Sequence, residues 1–323
     1  MDIQQRYFAA ETRYSDSERL YARCGNSGVL LPRVSLGFWH NFGGNDPYER
    51  SRAITHYAFD HGITHFDLAN NYGPPYGSAE VTMGRLMDDD FRPYRDELFI
   101  STKAGYDMWP GPYGDHGSRK YLIASLDQSL RRMHLDYVDL FYSHRFDPDT
   151  PIEETLQAMV DIVRSGKALY LGISNWPLEP LKVAVEYLRN AKTPLLIYQG
   201  RLNLLHQKPM EEGILDFCRE QGVGFIAYSP LAQGLLTDRY LNGIPADSRM
   251  AKDHFLHPWA RTPKLLDYLH QLEEQAKSSG RTIAQEALAW ILGQPGVTSV
   301  LVGASSVKQL ETNLATLSVG LSA

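Results

Sequence analysis

The stretch from Tyr137 to Ser174 reads YVDLFYSHRFDPDTPIEETLQAMVDIVRSGKALYLGIS. Its two ends, Tyr137–His144 and Leu169–Ser174, are short apolar runs of the kind found in strands buried on both faces of a parallel sheet. Between them, Thr150-Pro151-Ile152-Glu153 predicts a helix start, a capping box with proline at the first helical position. Leu156, Met159, Val160 and Val163 then fall on one helical face, and Gly166 ends the helix. The stretch is therefore a strand–helix–strand unit, which needs parallel strands and a crossover helix.

Working outward, the same alternation runs along the chain. Further strand-like runs occupy Val34–Phe38, His65–Ala69, Leu98–Lys103, Leu195–Gln199, Phe225–Ser229 and Ser299–Ala304. A helical face of Leu122, Leu126, Leu130 and Met133 follows the third run, and Thr282–Gln285 and Ser306–Gln309 read as the capped starts of two late helices. About eight strands alternating with helices predict an α/β fold, a (β/α)8 TIM barrel forming a single domain over 1–323. Before the first barrel strand, Tyr21–Cys24 and Val29–Pro32 flank Gly25-Asn26-Ser27-Gly28, an expected β-hairpin beneath the barrel floor. Residues 1–17 read as a disordered leader. The long connections 104–118 and 230–262 follow the third and seventh strands, on the C-terminal side where barrels build active sites.

Composition narrows the function classes. The chain has 323 residues, 43% hydrophobic and 22% charged, with a net charge of −6 and no blocks of one sign, so nothing suggests a nucleic-acid surface. Two cysteines, Cys24 and Cys218, sit in no metal-binding spacing and read as reduced thiols. No apolar run approaches the roughly 20 residues that would span a bilayer, and the polar, acidic N-terminus does not read as a signal peptide. The expectation is a cytoplasmic protein with no metal and no membrane insertion.

The strand ends carry the chemistry. The second run continues as His65-Phe66-Asp67-Leu68-Ala69-Asn70-Asn71-Tyr72-Gly73, the third ends in Ser101-Thr102-Lys103, and the fourth in Tyr142-Ser143-His144-Arg145. Asp67, Tyr72, Lys103 and His144 thus converge on one barrel mouth. A phenol with an ordinary pKa near 10 is a poor acid at neutral pH unless a cation stabilises its phenolate, and Lys103 would supply that charge. Asp67 would hold Lys103, and His144 would orient a carbonyl. Taken singly, each has an ordinary reading: a strand-end ion pair, a packed core histidine, a loop tyrosine.

Taken together, these runs, with Gly166-Lys167-Ala168-Leu169-Tyr170-Leu171-Gly172-Ile173-Ser174-Asn175 and Tyr228-Ser229-Pro230-Leu231, resemble the aldo-keto reductase superfamily over almost the whole chain. The resemblance implies a catalytic tetrad of Asp67, Tyr72, Lys103 and His144, with Tyr72 as the general acid. It also implies that Ser174, Asn175 and Gln199 hold a nicotinamide carboxamide, that Tyr228 stacks on its ring, and that Ser229, Leu231, Gly234 and Leu235 follow the pyrophosphate. Arg239 and Arg249 would clasp the phosphates, Arg249 favouring NADPH over NADH; the alternative is two solvated arginines.

No GxGxxG opens a helix here; Gly222-Val223-Gly224 leads into a strand instead. Val302-Gly303-Ala304-Ser305-Ser306 brings small residues and a helix start to the mouth, an anion site. Gly303 belongs to that cofactor-binding anion site; by resemblance Ser305, Gln309 and Asn313 take the adenosine end, where Thr312 replaces the family's usual glutamate. The runs Leu36–Phe42 and Lys103–Gly114 are similar to those of bacterial L-glyceraldehyde 3-phosphate reductases. They imply small aldehydes, L-glyceraldehyde 3-phosphate or methylglyoxal, with Trp39, Tyr76 and Trp109 as pocket walls and Trp39 also against the cofactor. For the tryptophans, ordinary loop packing stays open. The β subunits of voltage-gated potassium channels are also similar, so a cofactor-sensing regulatory subunit is the alternative function, and a homo-oligomer, a tetramer or larger ring, is expected. Relatives continue past the last leucines, Leu310, Leu314 and Leu317, into a helix and tail over the substrate pocket.

Overall fold

The computed structural model describes residues 6–246, 248, 250–251, 256–257 and 260–318. The strands are β1 (Tyr21–Arg23), β2 (Leu30–Pro32), β3 (Val34–Gly37), β4 (His65–Asp67), β5 (Phe99–Ala104), β6 (Val138–Ser143), β7 (Ala168–Ser174), β8 (Leu195–Arg201), β9 (Gly224–Tyr228) and β10 (Val297–Val302). The helices are α1 (Ser17–Leu20), α2 (Tyr48–Asp60), α3 (Ser78–Leu86), α4 (Arg119–Met133), α5 (Ile152–Arg164), α6 (Leu178–Asn190), α7 (Lys208–Glu211), α8 (Ile214–Gln221), α9 (Pro263–Ser278), α10 (Ile283–Leu292) and α11 (Val307–Leu314).

Strands β3 to β10 close into one parallel barrel in the order β10-β3-β4-β5-β6-β7-β8-β9. The apolar runs became these strands because each is buried on both faces, toward the barrel axis and toward the helices. Leu156, Met159 and Val160 of α5 are buried in that outer layer, so cutting Leu156 to alanine would cost about 2–5 kcal/mol. On the axis side, Gly172 of β7 is required by packing: a Cβ there would lie 2.3 Å from the ring of Tyr142.

The hairpin β1–β2 is antiparallel, pairing Tyr21 with Pro32. Cys24, Val29 and Leu31 pack against Leu140, Leu196, Ile226 and Leu301 at the lower ends of the strands, which closes the barrel floor. The Asn26 amide donates to the Gly222 carbonyl at 2.8 Å, tying the hairpin turn to the start of β9. Cys24 and Cys218 are free and buried, and burial pushes both thiols up to about 12.

Two expectations need correction. Residues 6–17 are docked rather than disordered: the Tyr7 hydroxyl donates to Asp60 at 2.8 Å, its ring stacks on His56 at 3.8 Å, and Arg13 pairs with Glu97 at 2.7 Å. The capping box at Thr150 does not form: Pro151, not Thr150, stands at the N-cap of α5, and no side chain caps it. The Thr150 hydroxyl donates to the Asp147 carboxylate at 2.6 Å. Asp147 also accepts the amides of Gly117 at 2.9 Å and Asp149 at 3.0 Å, which ties the start of α5 to the 105–118 loop. The box at Thr282 and Gln285 does close in both directions. At Ser306 only half of it forms, since the Gln309 side chain turns to the Ser305 amide at 2.8 Å. Among the described residues no helix is long and apolar enough to cross a membrane.

Candidate active site

Strand register assembles the mouth. Asp67 on β4 is the register partner of Ser101 on β5, and Lys103, two residues further along β5, is the partner of Tyr142 on β6. Side chains two residues apart on a strand share a face, so Asp67, Ser101 and Lys103 stack on one side. Lys103 is fully buried, and its three hydrogens have three acceptors: Asp67 Oδ2 at 2.5 Å, the Leu68 carbonyl at 2.7 Å and Tyr72 Oη at 3.3 Å. That coordination fits an ammonium, which has three donors and no lone pair. Asp67 Oδ1 in turn accepts from Ser101 Oγ at 2.7 Å and from Gln199 Nε2 at 3.2 Å.

Tyr72 is therefore approached by Lys103 at its oxygen. A hydroxyl that accepts from an ammonium has its own hydrogen directed elsewhere, and no acceptor for it is found among the described residues. The Tyr72 ring meets His144 edge-on at 6.1 Å between centroids. Tyr106 meets His144 at 4.7 Å and carries the Arg145 guanidinium 4.6 Å above its ring. Arg145 is anchored to the Gly105 carbonyl and to Asp115, each at 2.6 Å. His144 is buried, and its Nδ1 has no hydrogen-bond partner.

Burial, together with the charge of Asp67 and the neighbouring Tyr228 and Tyr106, holds the Tyr72 phenol well above 10. Lys103 touches the phenol oxygen but pairs with Asp67 at closer range, so the phenol meets an ion pair rather than a lone cation. Burial lowers Lys103 from 10.5, opposed by Asp67 and Glu80. Burial, Lys103 and Arg145 hold His144 well below 6.5, so the imidazole is neutral in the neutral range. The site thus keeps a protonated phenol, an ammonium behind it and a neutral imidazole beside it.

The expected nicotinamide residues lie next to this group. Ser174 on β7 is the register partner of Gln199 on β8. Asn175 donates from Nδ2 to Ser174 Oγ at 3.1 Å, and its Oδ1 accepts the Tyr228 hydroxyl at 2.8 Å, which fixes the Tyr228 ring at the rim. After β9, Ser229, Leu231 and Gly234 are half-buried and Leu235 is buried around a short turn, Ala232–Gly234, in which Gly234 has φ +100°. Arg239 is exposed on the next turn, Asp238–Tyr240; Arg249 lies outside the described residues. Gly303 and Ser305 are exposed at the start of α11, and a Cβ on Gly303 would meet nothing within 4 Å. Asn313 is buried with its Nδ2 unpartnered, and Gln233 Oε1 is likewise buried and unpartnered. Buried polar atoms without partners are costly in a folded protein, and these two could be completed by a polar ligand. Thr312 turns its hydroxyl back to the Lys308 carbonyl at 3.0 Å.

Of the expected pocket walls, Trp39 packs on His40 at 4.0 Å between ring centroids and Trp109 on Tyr121 at 5.1 Å, while Tyr76 is 54% exposed. Sequence reading missed Ser101, Tyr106 and Arg145 as members of the site. Ser101 had a signal, since it shares the strand face of Lys103. The placement of Tyr106 between Arg145 and His144 had none, because it depends on the path of a loop.

A closed parallel barrel with a buried lysine–carboxylate pair beneath a tyrosine at its mouth is the architecture of a carbonyl-reducing oxidoreductase, and the chain belongs to the Aldo/keto reductase family, whose profile matches residues 33–323. The chain is 56% identical over 315 residues to L-glyceraldehyde 3-phosphate reductase of Escherichia coli (strain K12), covering 96% of this chain and 90% of that protein. It is 34% identical over 306 residues to a probable voltage-gated potassium channel subunit beta of Arabidopsis thaliana, covering 93% and 91%.

Proposed function

We propose that this enzyme reduces small aldehydes, L-glyceraldehyde 3-phosphate and methylglyoxal among them, with NADPH as the reductant and Tyr72 as the proton donor. The observation that carries the reading is the Lys103–Tyr72 contact at 3.3 Å over the Asp67 pair, supported by the similarity to a named aldehyde reductase. The nicotinamide would supply the hydride to the carbonyl carbon. Tyr72 gives its unengaged hydrogen to the carbonyl oxygen as that oxygen gains charge, completing the alcohol. Although burial keeps the phenol a weak acid at rest, the phenolate left behind accepts a charge-assisted hydrogen bond from Lys103, so the ammonium acts where charge develops. His144, held neutral, orients the carbonyl oxygen, and Trp39, Tyr76 and Trp109 border the aldehyde.

In this reading Ser174, Asn175 and Gln199 hold the carboxamide, Tyr228 stacks on the ring, and Ser229, Leu231, Gly234 and Leu235 follow the pyrophosphate. Arg239 and Arg249 take the phosphates. Gly303 lies at the anion site, and Ser305, Gln309 and Asn313 receive the adenosine end. The enzyme is further proposed to be cytoplasmic and homo-oligomeric. The decisive experiment follows NADPH oxidation with each aldehyde in stopped-flow and steady-state assays. Turnover with both is expected; tight NADPH binding without turnover of either would replace the reductase reading by that of a cofactor-sensing subunit.

A further inference from the structure

Beneath Asp67 lies a line of buried polar side chains that the reaction as described leaves without a task. His65 is two residues before Asp67 on β4 and shares its face. Its Nε2 is 3.0 Å from Ser101 Oγ, and its Nδ1 is 2.9 Å from Ser35 Oγ. Ser35 Oγ is 2.8 Å from Ser299 Oγ, which is 2.6 Å from the Pro32 carbonyl. Ser35, His65, Ser101 and Ser299 are all fully buried, so the line runs through the barrel interior from the catalytic carboxylate to the floor.

We propose that His65 is a positioning residue for the reduction, a neutral imidazole that donates through Nε2 to Ser101 and thereby fixes the Asp67 carboxylate under Lys103. The inference rests on the reading of Asp67, Lys103 and Tyr72 as the reducing site. The direction of the two bonds nearest Asp67 follows by elimination. A carboxylate only accepts, so Ser101 donates to Asp67 Oδ1. The hydroxyl has one hydrogen, so Ser101 must accept from His65, which puts the proton on Nε2. At the far end the Ser299 hydroxyl donates to the Pro32 carbonyl at 2.6 Å, which anchors the line to the barrel floor. The two bonds from His65 to Ser101 and from Ser101 to Asp67 are aligned toward the carboxylate, and aligned hydrogen bonds in a low-dielectric interior strengthen one another.

The charges around the line agree with a neutral ring. His65 faces Asp67, which favours its protonation, and Lys103, which opposes it; burial outweighs both and pulls the imidazole down to about 4. Asp67 itself is faced by Lys103, Tyr72, Tyr142 and His65, and Lys103 additionally by Glu80. A protonated His65 would place a second cation near Lys103.

The test has two arms. In the full-length protein labelled with 15N-histidine, His65 is expected to show a single Nε2–H tautomer that does not change between about pH 5 and pH 9, the window in which an unperturbed imidazole titrates. An Nδ1–H tautomer, or a titration inside that window, overturns the proposal. In the second arm, glutamine places its amide nitrogen near the position of Nε2, whereas asparagine reaches only that of Nδ1. His65→Asn is expected to lower kcat about tenfold, the upper range for the loss of one hydrogen bond, while His65→Gln recovers it to within about threefold of wild type. KM for the aldehyde and Kd for NADPH stay unchanged in both. Equal kcat in the two variants overturns the proposal. Should the asparagine variant fail to fold, Ser101→Ala removes the same bridge and is expected to show the same loss, and an unchanged kcat there overturns it too. A wild type that turns over no aldehyde defeats the reading of the site, and the tautomer measurement still decides the role of His65.

Discussion

The two sides of the barrel mouth are built differently. On the β4–β5 side, Asp67, Ser101 and Lys103 are buried and their polar groups are matched within the protein, with Lys103 using all three of its donors. On the β9–β10 side, Gly303, Ser305 and Arg239 are exposed, and Ser229, Leu231 and Gly234 are half-buried. The first side is preorganised for chemistry, which needs atoms fixed before substrate arrives. The second is more open to solvent, which suits a surface whose task is affinity. Substitutions on one side should therefore change rate, and on the other, binding.

Tyr72→Phe makes the largest break: kcat for aldehyde reduction should fall about 10³-fold, the range for loss of a general acid, while NADPH affinity measured by fluorescence quenching holds. A parallel loss of affinity would mean that the two sides are not separable. Arg249→Ala, suggested by the family resemblance, should weaken NADPH about tenfold more than NADH, because the 2′-phosphate loses a charge-assisted partner. Equal losses for both cofactors would remove Arg249 from that position. Asn313→Ala should raise the NADPH Kd about fivefold, roughly one neutral hydrogen bond, with kcat at saturating cofactor unchanged; an unaltered Kd would mean that its free amide does not meet the ligand.

The smallest effect expected concerns pH. His144 is held well below 6.5, so it carries no charge above that value, and Tyr72 is held well above 10, so it keeps its proton. Between about pH 6.5 and 8, kcat should change by less than about twofold. The alkaline fall should come from Lys103, which loses its proton below 10.5. An inflection within the neutral range would assign a titrating charge to His144.

Much of this was legible in the residues. The apolar runs at Val138–Ser143 and Ala168–Ser174, with the amphipathic α5 between them, announce a βαβ unit because burial on both faces and helical periodicity are local properties of the chain. Asp67, Lys103 and His144 could be placed at one rim for the same reason, since each closes such a run. Their partners could not. That Asp147 takes the Gly117 amide, that the segment from Tyr7 docks on α2, and that Lys103 shares its hydrogens between Asp67 and Tyr72 are set by groups far away in the chain.

The amino-acid order by itself determined the eight-strand rhythm and which polar side chains stand at the strand ends, because hydrophobic period and strand termini are written in neighbouring residues. Only the closed barrel decided which of those side chains share hydrogens, and so which are acidic, neutral or charged. Register between adjacent strands brings Asp67 beside Ser101 and sets His65 between Ser101 and Ser35, and the burial that comes with closure gives those contacts their strength.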